Sequence, residues 1–171
     1  MASRLRRLRA RALKAAFAAH TTIYEFSDFQ CPHCKTASPL LRKIVEESNG
    51  KVKLVFKQYP LSGHPKAREA SKATIAADKQ GKFWEMHDLL FKNQDDLPTA
   101  NLDDYAKKIG LDMKRFKADM QSKETEKKID ADIAEGHASA VDSTPSIYVN
   151  DRRFVFPPGQ LGAYVREELD Q

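Results

Sequence analysis

The chain has 171 residues, 41% hydrophobic and 31% charged. That is enough for one domain with a real core, or for a core domain carrying an insertion, and too little for two full domains. No apolar run is long enough to cross a bilayer. The net charge of +5 is misleading, because Arg4, Arg6, Arg7, Arg9, Arg11 and Lys14 stand in the first 20 positions without an acid, leaving 23 basic against 24 acidic residues. The body of the chain therefore makes no electrostatic case for nucleic acid.

Residues 1–20 form a basic leader in which Leu5, Leu8, Ala12, Leu13, Ala16 and Phe17 fall near one helical face. Lys14 interrupts an apolar stretch too short and alanine-rich for a convincing secretory signal. The segment reads as a degenerate export signal, a membrane-interface helix, a self-association arm or a solvated tail, and carries no chemistry.

Thr21 to Ser27 is rich in β-branched and aromatic residues and reads as a buried strand, with Asp28 to Gln30 as a connection. Next comes Cys31-Pro32-His33-Cys34, which holds the only two cysteines of the chain. C-x-x-C between a strand and a helix points to thiol–disulfide exchange. A tetrahedral zinc site needs two further ligands, and His20, His64, His87 and His137 stand alone in the sequence. From Pro32 to about Ser48, Ala37, Leu40, Leu41, Ile44 and Val45 follow helical spacing, and Asn49-Gly50 stops the run. Pro32 suits the first turn, where its missing N–H has no partner to lose. A second strand at Val52 to Gln58 completes a β-α-β unit with the cysteines at the start of its helix.

From about residue 66 to 140 the chain becomes rich in Ala, Lys, Asp, Glu and Gln. Breaks near Gly81, Pro98 and Gly110 predict four or five short helices, anchored by Phe83, Trp84, Phe91, Tyr105 and Phe116. After Thr144-Pro145 the strand pattern returns at Ser146 to Val149 and Arg152 to Phe156, across an Asn150-Asp151 turn, and Gln160 to Leu169 makes a final helix. The order β-α-β, helices, β-β-α predicts an α/β domain, 21–63 with 141–171, interrupted by a helical insertion at 64–140.

With F-S-D-F-Q-C-P-H-C at 26–34 and T-P-S-I-Y-V-N at 144–150 in this order, residues 21–171 resemble the thioredoxin-fold proteins of the disulfide-bond protein A (DsbA)-like family. The resemblance implies a thioredoxin fold with an inserted all-helical subdomain. It implies a cis peptide bond at Pro145 facing Cys31, a loop at Thr144 and Pro145 that pairs with an extended substrate segment, and Glu25 as the buried acid beneath the active site. At the position of Thr144, valine is frequent among dedicated oxidases of that family, and threonine among isomerase-like relatives and other DsbA-like members.

Cys31, at a helix N-terminus, gains thiolate stability from unpaired N–H groups and the helix dipole, and His33 could add to it. Lowering a thiol pKa from about 8.5 to about 3.5 favours the thiolate by roughly 7 kcal/mol, which stabilises the reduced form and suits an oxidase. Glu25 in an apolar strand would titrate high or pair with a cation such as Lys57, and could relay protons to Cys34; on an exposed strand face it would do neither. Three functions remain open: an oxidase introducing disulfides into exported proteins, an isomerase or reductase, and a non-catalytic thioredoxin-fold binding module or chaperone. Expected partners are cysteine-containing proteins and a redox-recycling partner such as a membrane quinone-linked oxidase, with no nucleic acid and with monomer or dimer left open. No nucleotide loop or organic-cofactor motif appears, so the Cys31–Cys34 pair is itself the expected redox centre and no cofactor is expected. Oxidising chemistry places the protein in the bacterial periplasm or cell envelope, where disulfides persist.

Overall fold

The computed structural model describes residues 21–95, 97–155 and 157–170. The expectations for residues 1–20 lie outside the described residues.

Strand β1 (Thr21–Ser27) leads to helix α1 (Pro32–Glu47) and strand β2 (Val52–Gln58). Five helices follow: α2 (Ala67–Asp78), α3 (Phe83–Lys92), α4 (Thr99–Lys108), α5 (Met113–Met120) and α6 (Lys123–Ala138). The chain closes with β3 (Ser146–Val149), β4 (Arg152–Phe154), a single 3-10 turn (Pro158–Gln160) and α7 (Leu161–Leu169). The strands form one four-stranded sheet in the order β2-β1-β3-β4. A βαβ unit, a helical insertion and a ββα unit together make the thioredoxin-like α/β fold that the sequence predicts.

Two compact units divide the chain. The first runs to Glu25 and takes in Ala37–Phe56 and Ser146 onward; the second holds Phe26–Thr36 and Lys57–Pro145. The first unit's core is Ile23, Ala37, Leu41, Val52, Ile147, Val149, Phe154, Leu161 and Val165. These are the inward positions of alternating strands and the apolar stripes of two helices, so burial of one face of each element holds the unit together. The β3–β4 hairpin pairs Val149 with Arg152 across Asn150-Asp151. Asn150 takes the left-handed conformation (φ 56°) that a two-residue hairpin loop requires. Its side-chain oxygen accepts from the Thr22 N–H at 3.0 Å. The second strand of the hairpin stops at Phe154, two residues short of the expected end; residue 156 lies outside the described residues.

In the second unit, α2 packs against α3, α4, α5 and α6. Ala67, Ala70, Ala73, Ala76 and Ala77 are all fully buried on α2, and side chains this small let neighbouring helices come close. Gly81 and Gly110 end α2 and α4 at positive φ, 72° and 77°, where a side chain would be strained. Ser122 caps α6 by accepting from the Thr125 N–H. Of the expected aromatic anchors, Phe91 and Phe116 are buried, whereas Phe83, Trp84 and Tyr105 are only half-buried. The residue at the centre of the aromatic cluster is His87, 1% exposed, with Phe29, Phe83, Trp84 and Phe91 around its ring.

Candidate active site

Cys31, Cys34, Thr144 and Pro145 all lie in the second unit. Cys31 immediately precedes α1, and its carbonyl accepts from the Lys35 N–H at 3.2 Å. Its sulfur therefore stands over the first turn of α1, where backbone N–H groups have no intrahelical acceptor. Both cysteines are free thiols and both are buried, Cys31 at 5% and Cys34 at 0% relative exposure. Pro32 and His33 between them are exposed. The Cys31 thiol donates to the Thr144 carbonyl at 3.2 Å, and the Thr144–Pro145 peptide is cis.

The two thiols sit in unlike environments. A hydrogen bond from the Cys34 thiol, working against burial and helped by Thr144 and the N–H groups of Cys34 and His33, lowers the Cys31 pKa to about 5. For Cys34, burial is the largest effect and Cys31 adds to it, so its pKa rises well above the usual thiol range. The Ser27 hydroxyl and the Asp28 N–H pull Cys34 in the opposite direction without overcoming burial. One sulfur is ready to ionise and its neighbour is held neutral, as a helix N-terminus and a buried second cysteine dictate.

Asp28 is a hub of the loop before Cys31. Its N–H points at Cys34 Sγ at 3.5 Å. Oδ1 accepts from the Gln30 N–H at 2.6 Å, while Oδ2 accepts from the Leu61 N–H at 2.8 Å and meets His64 Nδ1 at 2.8 Å. The carboxylate is fully buried, so these partners replace the water it has lost. From α3's C-terminal side, Gln94 Nε2 donates to the carbonyls of Phe29 (2.9 Å) and Cys31 (2.8 Å), fixing the loop that presents Cys31. The sequence treats Asp28 as a connecting residue and His64 as isolated, and it gives no role to Gln94. The signal for Asp28 is an aspartate two residues before a backbone donor, the Asx-turn pattern. His64 and Gln94 reach the site over 36 and 63 or more positions, which no local pattern discloses.

Glu25 is buried on β1 at 1% exposure, which removes the exposed-strand alternative. Lys57 Nζ lies 2.6 Å from a Glu135 carboxylate oxygen and 3.6 Å from one of Asp132, both on α6. Burial opposes the Lys57 charge, but these two carboxylates outweigh it and hold its pKa above the ordinary value. Among the described residues, no group of three His, Cys, Asp or Glu side chains is placed to hold a metal ion.

The thioredoxin family model matches residues 16–165. The Na(+)/H(+) antiporter NhaA 3 of Salinispora tropica is 39% identical over 136 residues, covering 79% of this chain and 21% of that protein. NhaA of Herminiimonas arsenicoxydans is 33% identical over 135 residues, with the same coverage of 79% and 21%. The chain thus spans about a fifth of the length of these relatives. Among solved structures, a thioredoxin-like oxidoreductase from Silicibacter pomeroyi superposes with a TM-score of 0.81 at 25% identity, covering 92% of this chain and 91% of that one. BdbD from Bacillus subtilis superposes with a TM-score of 0.78 at 26% identity, covering 90% and 89%. By family match, the chain belongs to the thioredoxin family, with a fold similar to that of the solved thioredoxin-like oxidoreductase and of BdbD.

Proposed function

We propose that this protein donates the Cys31–Cys34 disulfide to reduced proteins of the bacterial cell envelope. The observation that carries this reading is the unequal ionisation of the two sulfurs, Cys31 at about 5 and Cys34 well above the usual thiol range. A stabilised Cys31 thiolate favours the reduced protein, so the disulfide is an oxidant.

The cycle starts from the Cys31–Cys34 disulfide. A substrate thiolate attacks Cys31 Sγ, the S–S bond breaks, and Cys34 leaves as a thiolate and takes a proton from solvent. A second substrate thiolate then attacks the substrate sulfur of the mixed disulfide, and Cys31 leaves as the stabilised thiolate. The substrate has lost two electrons to the cysteine pair. Thr144 and Pro145 lie beside Cys31, as the 3.2 Å contact with the Thr144 carbonyl shows, and their backbone is placed to pair with an extended substrate segment. Cys31 is the nucleophile and leaving group, Cys34 is the resolving thiol, and exposed His33 meets the incoming substrate. Glu25 serves as a buried acid. An envelope partner, such as a membrane quinone-linked oxidase, would return the pair to the disulfide. A periplasmic or envelope location fits an oxidising dithiol, since disulfides persist there.

The test is to mix the oxidised protein with an equimolar reduced peptide carrying two cysteines, quench with acid, and weigh both products. The expected result is one oxidised peptide per reduced protein. A peptide that stays reduced beside an intact Cys31–Cys34 disulfide would reject the donor role.

A further inference from the structure

The exchange cycle proposed above asks Cys34 to carry a negative charge, briefly, at a place shielded from bulk water, since its side chain is 0% exposed in the resting fold. A buried anion without donors is costly. Two donors stand there. The Asp28 N–H points at Cys34 Sγ from 3.5 Å. The hydroxyl of Ser27, the residue before Asp28, acts on the same thiol in favour of its thiolate. Ser27 is itself 0% exposed, and its hydroxyl has no hydrogen-bond partner among the described residues.

Neither donor is free to drift. The Ser27 carbonyl accepts from the Tyr59 N–H at 2.9 Å at the end of β1, which fixes the backbone from which the hydroxyl projects. The Asp28 amide is fixed because its own side chain is tied to Gln30, Leu61 and His64. An orphaned buried hydroxyl is a standing cost in the resting protein. It is compensated when a charge appears opposite it, because hydrogen bonds to ionised acceptors are stronger than neutral ones.

We propose that Ser27 is a catalytic residue of the exchange reaction: its hydroxyl and the Asp28 N–H form a two-donor cradle that receives the Cys34 thiolate as the Cys31–Cys34 bond breaks. The atoms balance within the cycle already given. The substrate thiolate forms a bond to Cys31 Sγ, the electron pair of the S–S bond passes to Cys34 Sγ, and a solvent proton then neutralises it. In reverse, Cys34 gives up that proton and attacks Cys31 through the same transition state. The cradle therefore speeds both directions and leaves the equilibrium unchanged, because Cys34 is a neutral thiol in the reduced protein. Preorganised donors aimed at developing charge act on the barrier in this way.

This inference rests on the roles given to Cys31 and Cys34, and its test separates the two. The oxidised 171-residue chain, wild type and Ser27→Ala, is mixed with excess glutathione, quenched with acid at set times, and analysed by mass for the mixed disulfide. In parallel, the reduction potential of each is measured, and reduced Cys31 is alkylated with iodoacetamide, a reaction in which Cys34 is not a leaving group. The expected result is cleavage of the Cys31–Cys34 bond about tenfold slower in Ser27→Ala, with the potential and the alkylation rate unchanged. Cleavage at the wild-type rate overturns the inference. So does a slowing matched by an equal fall in alkylation or by a shifted potential, since either marks a general disturbance of the site. Failure of the wild-type pair to react with glutathione at all would instead reject the exchange roles themselves.

Discussion

Titration of Cys31 by alkylation follows most directly from the environment of the site. A pKa of about 5, against an ordinary thiol value of 9.0, makes Cys31 about 99% thiolate at pH 7, where an unperturbed thiol is about 1% ionised. The rate at pH 7 is nevertheless a poor readout. A thiolate of lower pKa is a weaker nucleophile, and with a Brønsted coefficient of about 0.4–0.5, four units cost roughly 40- to 100-fold in intrinsic reactivity. The gain in thiolate fraction and the loss in nucleophilicity nearly cancel. The shape of the pH profile does not suffer this cancellation: the rate of iodoacetamide alkylation should rise through a midpoint near pH 5 and be flat from about pH 6 to 8. Cys34 should remain unmodified across that range, because burial raises its pKa and closes access to it. A Cys31 rate that climbs tenfold per pH unit through pH 7 would refute the assigned environment.

Thr144→Val removes a group that helps hold Cys31 low, so the alkylation midpoint should move up by about one unit, equivalent to about 1.4 kcal/mol; an unmoved midpoint would remove the Thr144 side chain from the site's electrostatics. Gln94→Ala leaves the buried carbonyls of Phe29 and Cys31 without their shared donor, and urea denaturation should show a loss of about 1–3 kcal/mol, a loss below about 0.5 kcal/mol counting against the clamp. Stability of the reduced protein should also follow pH. The folded pKa of Cys31 lies below its unfolded value, so the thiolate contribution is full above the ordinary thiol range and is lost as pH falls toward 5. Cys34 works oppositely, its raised pKa costing stability once pH passes the ordinary thiol value. Relative to the oxidised form, the reduced protein should thus gain stability from pH 5 toward pH 9 and lose that trend above it; denaturation of both forms at several pH values checks this.

Much of this fold is legible from local pattern. β1 and β2 fall on runs rich in β-branched and aromatic residues, α1 ends just before Asn49 and Gly50 take positive φ, and α2 and α4 end just before Gly81 and Gly110. These signals are local because the physics is local: a strand's pleat, a helix's unpaired carbonyls, a residue that tolerates φ above zero. Cys31 and Cys34 are equally legible, since a rare residue type at helix-start spacing has little other use. The supporting groups are not. Gln94 and His64 reach the loop through the fold of the insertion, and Ser27 is distinguished only by having a buried hydroxyl with no hydrogen-bond partner among the described residues, which depends on three-dimensional packing. Lys57 shows the same limit: Asp132 and Glu135, which pair with its ammonium, come from α6, 75 and 78 positions away.

The claim at the centre of this account is that the cysteine pair is poised to give its disulfide away. The equilibrium reduction potential of Cys31/Cys34 against glutathione, read by trapping free thiols, tests it most directly, since 30 mV corresponds to about 1.4 kcal/mol for this two-electron couple. The account predicts an oxidising value, toward about −120 mV; a value near about −270 mV would contradict it and describe a reductase.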